Sequence, residues 1–107
     1  MPAIGYVTRD KNGTFKGHLK TLSIRAEITI AANARKATDV QPDYRVYSGD
    51  VEIGAGWVRR SEASGNEYVS LSLAAPEFGP RRLYANLAHS AGDDRDDRFV
   101  ILWNPAD

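Results

Sequence analysis

Thr21-Leu22-Ser23-Ile24-Arg25-Ala26-Glu27-Ile28-Thr29-Ile30-Ala31 is the stretch on which the fold class turns. Leu22, Ile24, Ala26, Ile28 and Ile30 alternate with Thr21, Ser23, Arg25, Glu27 and Thr29. Successive side chains of a strand point to opposite faces, so five apolar positions at period two predict a β-strand with one face on a core and the other in water.

Working outward, Ile4 to Arg9 and Thr14 to Lys20 are β-rich stretches separated by Asp10-Lys11-Asn12-Gly13. Asn12-Gly13 suits the left-handed backbone of a tight hairpin turn, and a three-stranded meander results. Residues 33 to 43 break the pattern with small and polar side chains and predict the longest loop, a short helix being admissible only near Ala31 to Ala37. Strands resume at Tyr44 to Ser48 and Val51 to Arg60, turning at Ser48-Gly49-Asp50. Simple alternation puts Ile53, Ala55 and Trp57 on the core face of the second, with Trp57 filling the core, and leaves Gly54 and Gly56 bare; alternate glycines in a strand mark a bulge, a bend or a close backbone approach.

Beyond the Ser61 to Gly65 turn, Val69, Leu71 and Leu73 face inward. Leu83, Ala85 and Leu87 do the same in Arg81 to His89, with Arg82, Tyr84 and Asn86 outward; Tyr47 and Tyr68 are likewise expected outside. The prolines of residues 75 to 80 make that stretch a connection. Arg98 to Asn104 is apolar on both faces, as expected of a central or covered strand, with Trp103 as a core anchor. About eight short antiparallel strands without a helical period predict an all-β protein, a small barrel or sandwich, with residues 1 to 107 forming one domain.

Composition narrows the function classes. The chain has 107 residues and no cysteine, which excludes disulfides, thiolate metal sites and cysteine nucleophiles. No apolar run approaches the ~20 residues of a membrane helix, and the start lacks the pattern of a secretory signal, so no membrane association and a cytoplasmic location are expected. Fourteen Lys and Arg balance fourteen Asp and Glu, but the balance hides an asymmetry. Residues 1 to 36 hold seven bases and two acids, a formal +5, leaving the remainder at −5, and every lysine lies in that first third.

Ile4-Gly5, Gly17 to Thr29 with Leu22 and Glu27, Pro42-Asp43-Tyr44-Arg45-Val46, Glu52-Ile53-Gly54-Ala55-Gly56-Trp57, Tyr84-Ala85-Asn86-Leu87 and Leu102-Trp103-Asn104 together resemble the bacterial "domain of unknown function 736" family. The resemblance runs over nearly the whole chain, and Gly-Ala-Gly-Trp and the terminal Leu-Trp-Asn are its most specific pieces. It implies a small stand-alone alphaproteobacterial protein, often encoded on plasmids or other mobile elements. It implies no activity, and no site residue can be carried over from it.

Candidate chemistry is thin. His18 and His89 stand on separate strands with no hydrolase, zinc-protease or phosphate-loop motif beside them, so no catalytic residue and no cofactor are assigned, and the chain is not expected to be an enzyme. Asp93-Asp94-Arg95-Asp96-Asp97 lacks the glycine and distant glutamate of a calcium loop and reads as a solvated turn, with no metal site assigned. The basic third carries the leading expectation: Lys16, Lys20 and Arg25 as phosphate contacts on an outer sheet face, Arg9 and Lys11 at the hairpin rim, and Tyr6 as a stacking ring. That describes a binding module without catalysis, a nucleic-acid-associated accessory protein. The alternative is a protein-interaction or self-associating module that uses an exposed strand edge.

Overall fold

The computed structural model describes residues 2–89 and 97–105. It is all-β: β1 (Ala3–Arg9), β2 (Phe15–Lys20), β3 (Arg25–Ala32), β4 (Tyr44–Ser48), β5 (Val51–Arg60), β6 (Glu67–Leu73), β7 (Leu83–His89) and β8 (Arg98–Trp103). Each strand pairs antiparallel with the next, and β8 pairs with β1, closing the sheet into a barrel. Closure corrects one expectation. Every strand has two neighbours, so the sheet offers no free edge on which a partner could add a strand. On the outer face of β8, Val100 and Leu102 are half-buried.

An eight-stranded barrel has an interior just wide enough for side chains to fill. Ile28, Ile30, Val46, Leu71, Leu73 and Ile101 fill the middle, and Val7, Phe15, Leu19, Leu87 and Phe99 extend the core toward the ends. The lower end is closed by Ile24, Leu83 and Phe78, the last brought there by a single 3₁₀ turn at Pro76–Phe78. That turn is the helical piece among the described residues; Ala31 to Ala37 runs from the end of β3 into loop. With its middle packed, the barrel leaves its two ends and its outer wall as places to bind anything.

The meander is present, with two local corrections. Gly13 turns with φ +82°, whereas Asn12 keeps negative φ. The Asp10 carboxylate accepts from the Asn12 and Thr14 amides at 2.8 and 3.0 Å and so helps hold the turn. At the next turn the alternation of residues 21 to 24 proves misleading. Thr21 Oγ1 accepts from the Ile24 amide at 3.1 Å and the Thr21 amide donates to the Ile24 carbonyl, so these residues form the hairpin tip and β3 starts at Arg25. Leu22 there is fully exposed.

A register shift in β5 has larger consequences. Val46 pairs with Gly54 while Tyr47 pairs with Glu52, leaving Ile53 as an extra residue on β5. Ile53 and Gly54 therefore both lie on the core side, a β-bulge. Beyond it, Gly54 and Gly56 face the buried Leu73 and Leu71, while Ala55, Trp57 and Arg59 pair with Ser72, Ser70 and Tyr68 on the outside. Gly54 must be bare, because a Cβ there would sit 2.1 Å from the Ser72 carbonyl oxygen. Trp57 is thus outside the core. Trp103 keeps the core side of β8, but at the lower rim, where it is 38% exposed, so it is no core anchor either.

Candidate nucleic-acid interface

The barrel separates the sequence-derived candidates. Tyr6, Lys16, Lys20 and Arg25 share one outer face across β1, β2 and β3: Tyr6 pairs with His18, His18 with Glu27, Lys16 with Thr8 and Thr29, and Lys20 with Arg25. Tyr6 is 62% exposed. Lys20 and Arg25 are like charges directly opposite, an arrangement that costs stability unless an anion lies over it. Glu27, beside His18, reduces the field of this face. Lys11 lies in the turn after β1, at the rim as expected. Arg9 does not join them. It has the parity of the buried Val7, and its guanidinium carbon lies over the Phe15 and Phe99 rings, 5.9 and 5.2 Å from their centroids, at the upper end of the barrel.

On the opposite wall, β5, β6 and β7 carry a constellation that the expected parity of Trp57 had concealed. Trp57 pairs with Ser70, Ser70 with Asn86, Ala55 with Ser72, and Ser72 with Tyr84. Trp57 and Tyr84 therefore stand diagonally on either side of β6, roughly 12 Å apart at two strand spacings and a two-residue offset, and the small hydroxyl residues of β6 floor the gap. The result is an open groove of about 600 Å³.

Each wall is held by its neighbours. The Trp57 Nε1–H donates to the Val40 carbonyl at 3.3 Å, fixing the indole against the loop of residues 33 to 43, and the Arg59 guanidinium carbon lies 5.9 Å from the indole. On the other side Arg82 donates to Ser72 Oγ at 2.9 Å and covers that serine, which is why an outward-facing hydroxyl is buried. Neither Arg59 nor Arg82 pairs with a carboxylate among the described residues. Arg82 and Tyr84 also line a neighbouring depression at the lower rim with Arg81 and Trp103.

The loop beside Trp57 is anchored by Asp43. Its Oδ1 is ion-paired with Lys36 and its Oδ2 accepts from the Val58 amide at 2.8 Å. The Lys36 hydrogen bond, followed by that from Val58, holds the Asp43 carboxyl below its ordinary range.

His18 and His89 are on different parts of the barrel, His18 on the basic wall and His89 against Phe99 at the upper end. Among the described residues no three His, Asp or Glu side chains cluster to hold a metal ion. Of the acidic run, Asp93 to Asp96 lie outside the described residues. No helix of the described residues is long and apolar enough to cross a membrane.

The outer pair Arg82 and Tyr84 was legible from alternation alone. Trp57 and Arg59 were not, because the bulge reverses their side; the paired glycines were the available signal.

Fold and wall together define a closed, up-and-down antiparallel β-barrel with an arginine-flanked aromatic groove. Residues 3–106 match the family described as "Protein of unknown function (DUF736)", and the chain belongs to that family. No curated protein and no solved structure matches it.

Proposed function

We propose that the protein is a nucleic-acid-binding module without catalytic activity, which takes a single strand along the groove between Trp57 and Tyr84. The observation that carries this reading is the pairing of two aromatic walls with two arginines that form no salt bridge among the described residues, over a floor of serines, with Glu52 at one end of the groove. Every base has a π-face, so aromatic platforms bind single strands with little sequence preference, and arginine supplies both phosphate contacts and cation–π stacking. Arginine suits this better than lysine because its planar guanidinium pairs bidentately with phosphate oxygens. A cytoplasmic accessory role in mobile elements belongs to the same proposal and rests on the family resemblance. The basic wall with Lys16, Lys20 and Arg25 adds a general attraction for polyanions, offset by a net charge of zero.

Trp57 itself reports on the test. Titrating the protein at low salt with a single-stranded oligothymidylate is expected to quench its tryptophan fluorescence to saturation, with an affinity that falls as salt is added. Read by the anisotropy of a labelled oligothymidylate, Trp57→Ala and Tyr84→Ala are each expected to weaken binding by about tenfold or more, since one stacked base contributes about 1–3 kcal/mol. Absence of binding at low salt, or binding indifferent to both variants, overturns the reading.

Trp, Tyr and Arg are also the residues enriched at protein interfaces, which favours as a second reading a protein partner docked face-on over the same groove. A partner whose capture survives high salt and is abolished by Trp57→Ala would select it.

A further inference from the structure

The upper end of the barrel is built differently from the lower. Phe78 and Ile24 pack against the core at the bottom, whereas the top opens into a cup of about 530 Å³. Its floor is aromatic and aliphatic. Phe15 meets Phe99 edge to face at 5.1 Å and Tyr44 at 5.9 Å, and Val69 and Leu87 complete the apolar surface.

Two cation-capable side chains lean over this floor. The Arg9 guanidinium carbon lies 5.9 and 5.2 Å from the Phe15 and Phe99 ring centroids, and the His89 ring lies 4.4 Å from the Phe99 ring at 32°. Among the described residues the Arg9 guanidinium donates no hydrogen bond. A guanidinium at the rim of an apolar recess offers its N–H donors to the acidic group of a molecule whose apolar body enters the recess. Small-molecule sites commonly have this character, a concave apolar pocket of about 300–1,000 Å³ with a few converging polar groups, and barrel mouths are among their usual places.

We propose that the upper mouth is a binding site for a small anionic molecule with an apolar body, its acidic group on Arg9 beside His89 and its body against Tyr44, Val58 and Val69. Charge complementarity selects this occupant: Arg9 and His89 sit on the side of the cup formed by Phe99, and among the described residues that line the mouth Glu67 is the acidic one. The site is separate from the outer groove, so neither proposal depends on the other.

Two probes that share their rings and differ in charge test it: anilinonaphthalene sulfonate and neutral N-phenylnaphthylamine, each titrated into protein whose amide spectrum remains dispersed. The sulfonate is expected to bind one to one with increased fluorescence and to shift the amides of Phe15, Val69, His89 and Phe99. Arg9→Gln is expected to weaken it by about tenfold or more, the effect of losing a charge-assisted hydrogen bond, while leaving the neutral probe within about twofold. Val58→Trp, which fills the mouth from a position already 38% exposed, is expected to weaken both. The proposal is overturned if the sulfonate does not bind the folded chain, if it binds Arg9→Gln as tightly as the parent, or if the shifted amides are those of Trp57 and Tyr84.

Discussion

Asp43 shows how one side chain secures the candidate interface. It joins the long loop to β5 through Lys36 and the Val58 amide, and the same loop supplies the Val40 carbonyl that orients Trp57. Its carboxyl is lowered in the folded state, so the folded chain binds that proton less readily than the unfolded chain. The resulting stability is fully present above the unfolded value near 3.9 and is lost as pH falls through the lower folded value. Asp43→Asn is therefore expected to lower the urea midpoint at neutral pH, by an amount on the order of 1 kcal/mol or less because the pair is partly exposed. The gap between variant and parent is expected to narrow as pH falls below the unfolded value near 3.9 and the parent's Asp43 takes up its proton. A gap that stays constant across that range contradicts the assignment. The glycines of the bulge make a second residue-level test. Gly54→Ala drives a methyl into the Ser72 carbonyl, a contact with backbone that cannot move aside, and is expected to cost more than about 2 kcal/mol. At Gly56 the nearest atoms are methyls of Leu71 and Val69 at 3.0 and 3.1 Å. Crowding there is offset by the reduced freedom of the unfolded chain, so Gly56→Ala is expected within about 1 kcal/mol of the parent. Denaturant midpoints for the two variants compare them directly.

At the scale of elements, alternation located all eight strands because a barrel wall has one dry and one wet side, and period-two patterning reports which residues lie on each. It failed where the backbone leaves the regular pleat. Residues 21 to 24 continue the alternation into a turn closed by a threonine hydroxyl, so a periodic apolar residue is left in water. Accordingly Leu22→Ser is expected to change stability by no more than about 0.5 kcal/mol. Ile24→Ala, two residues on and packed against the core, is expected to cost about 1–3 kcal/mol. Equal losses for the two would restore the uninterrupted strand. The bulge at Ile53 is the other departure. One inserted residue carries Trp57 from the expected core side to the outer wall, where Arg59 shares its face, and with them half of the groove. Tyr84 and Arg82 stayed legible because no register shift lies between them and the core positions of β7. Whether the sheet closes is a pairing of first strand with last, which no local pattern of either strand encodes.

At the scale of the whole molecule, closure decides which surface meets a polyanion. Without a free strand edge, recognition falls to side chains on the wall, and the wall has two positive regions on opposite sides. The lysine-rich side has charge without a built recess of aromatic rings; Tyr6 is its exposed ring, and Glu27 lies within it. The other side holds arginines that stack on or span between groove residues. Salt dependence separates them, because each phosphate neutralised on a single strand contributes about −0.7 to the slope of log affinity against log salt. If the groove is the interface, replacing Arg59 and Arg82 together with Gln is expected to make that slope shallower by roughly 1.4, with loss of tryptophan quenching. Replacing Lys16 and Lys20 together is then expected to leave the slope nearly unchanged and to slow association modestly, since distant charges steer an approach more than they hold a complex. The reverse pattern, a slope that follows the lysines and ignores the arginines, would move the interface to the β1–β3 wall and leave the groove to a protein partner. Measuring both double variants against one oligonucleotide at several salt concentrations distinguishes the two sides of the barrel.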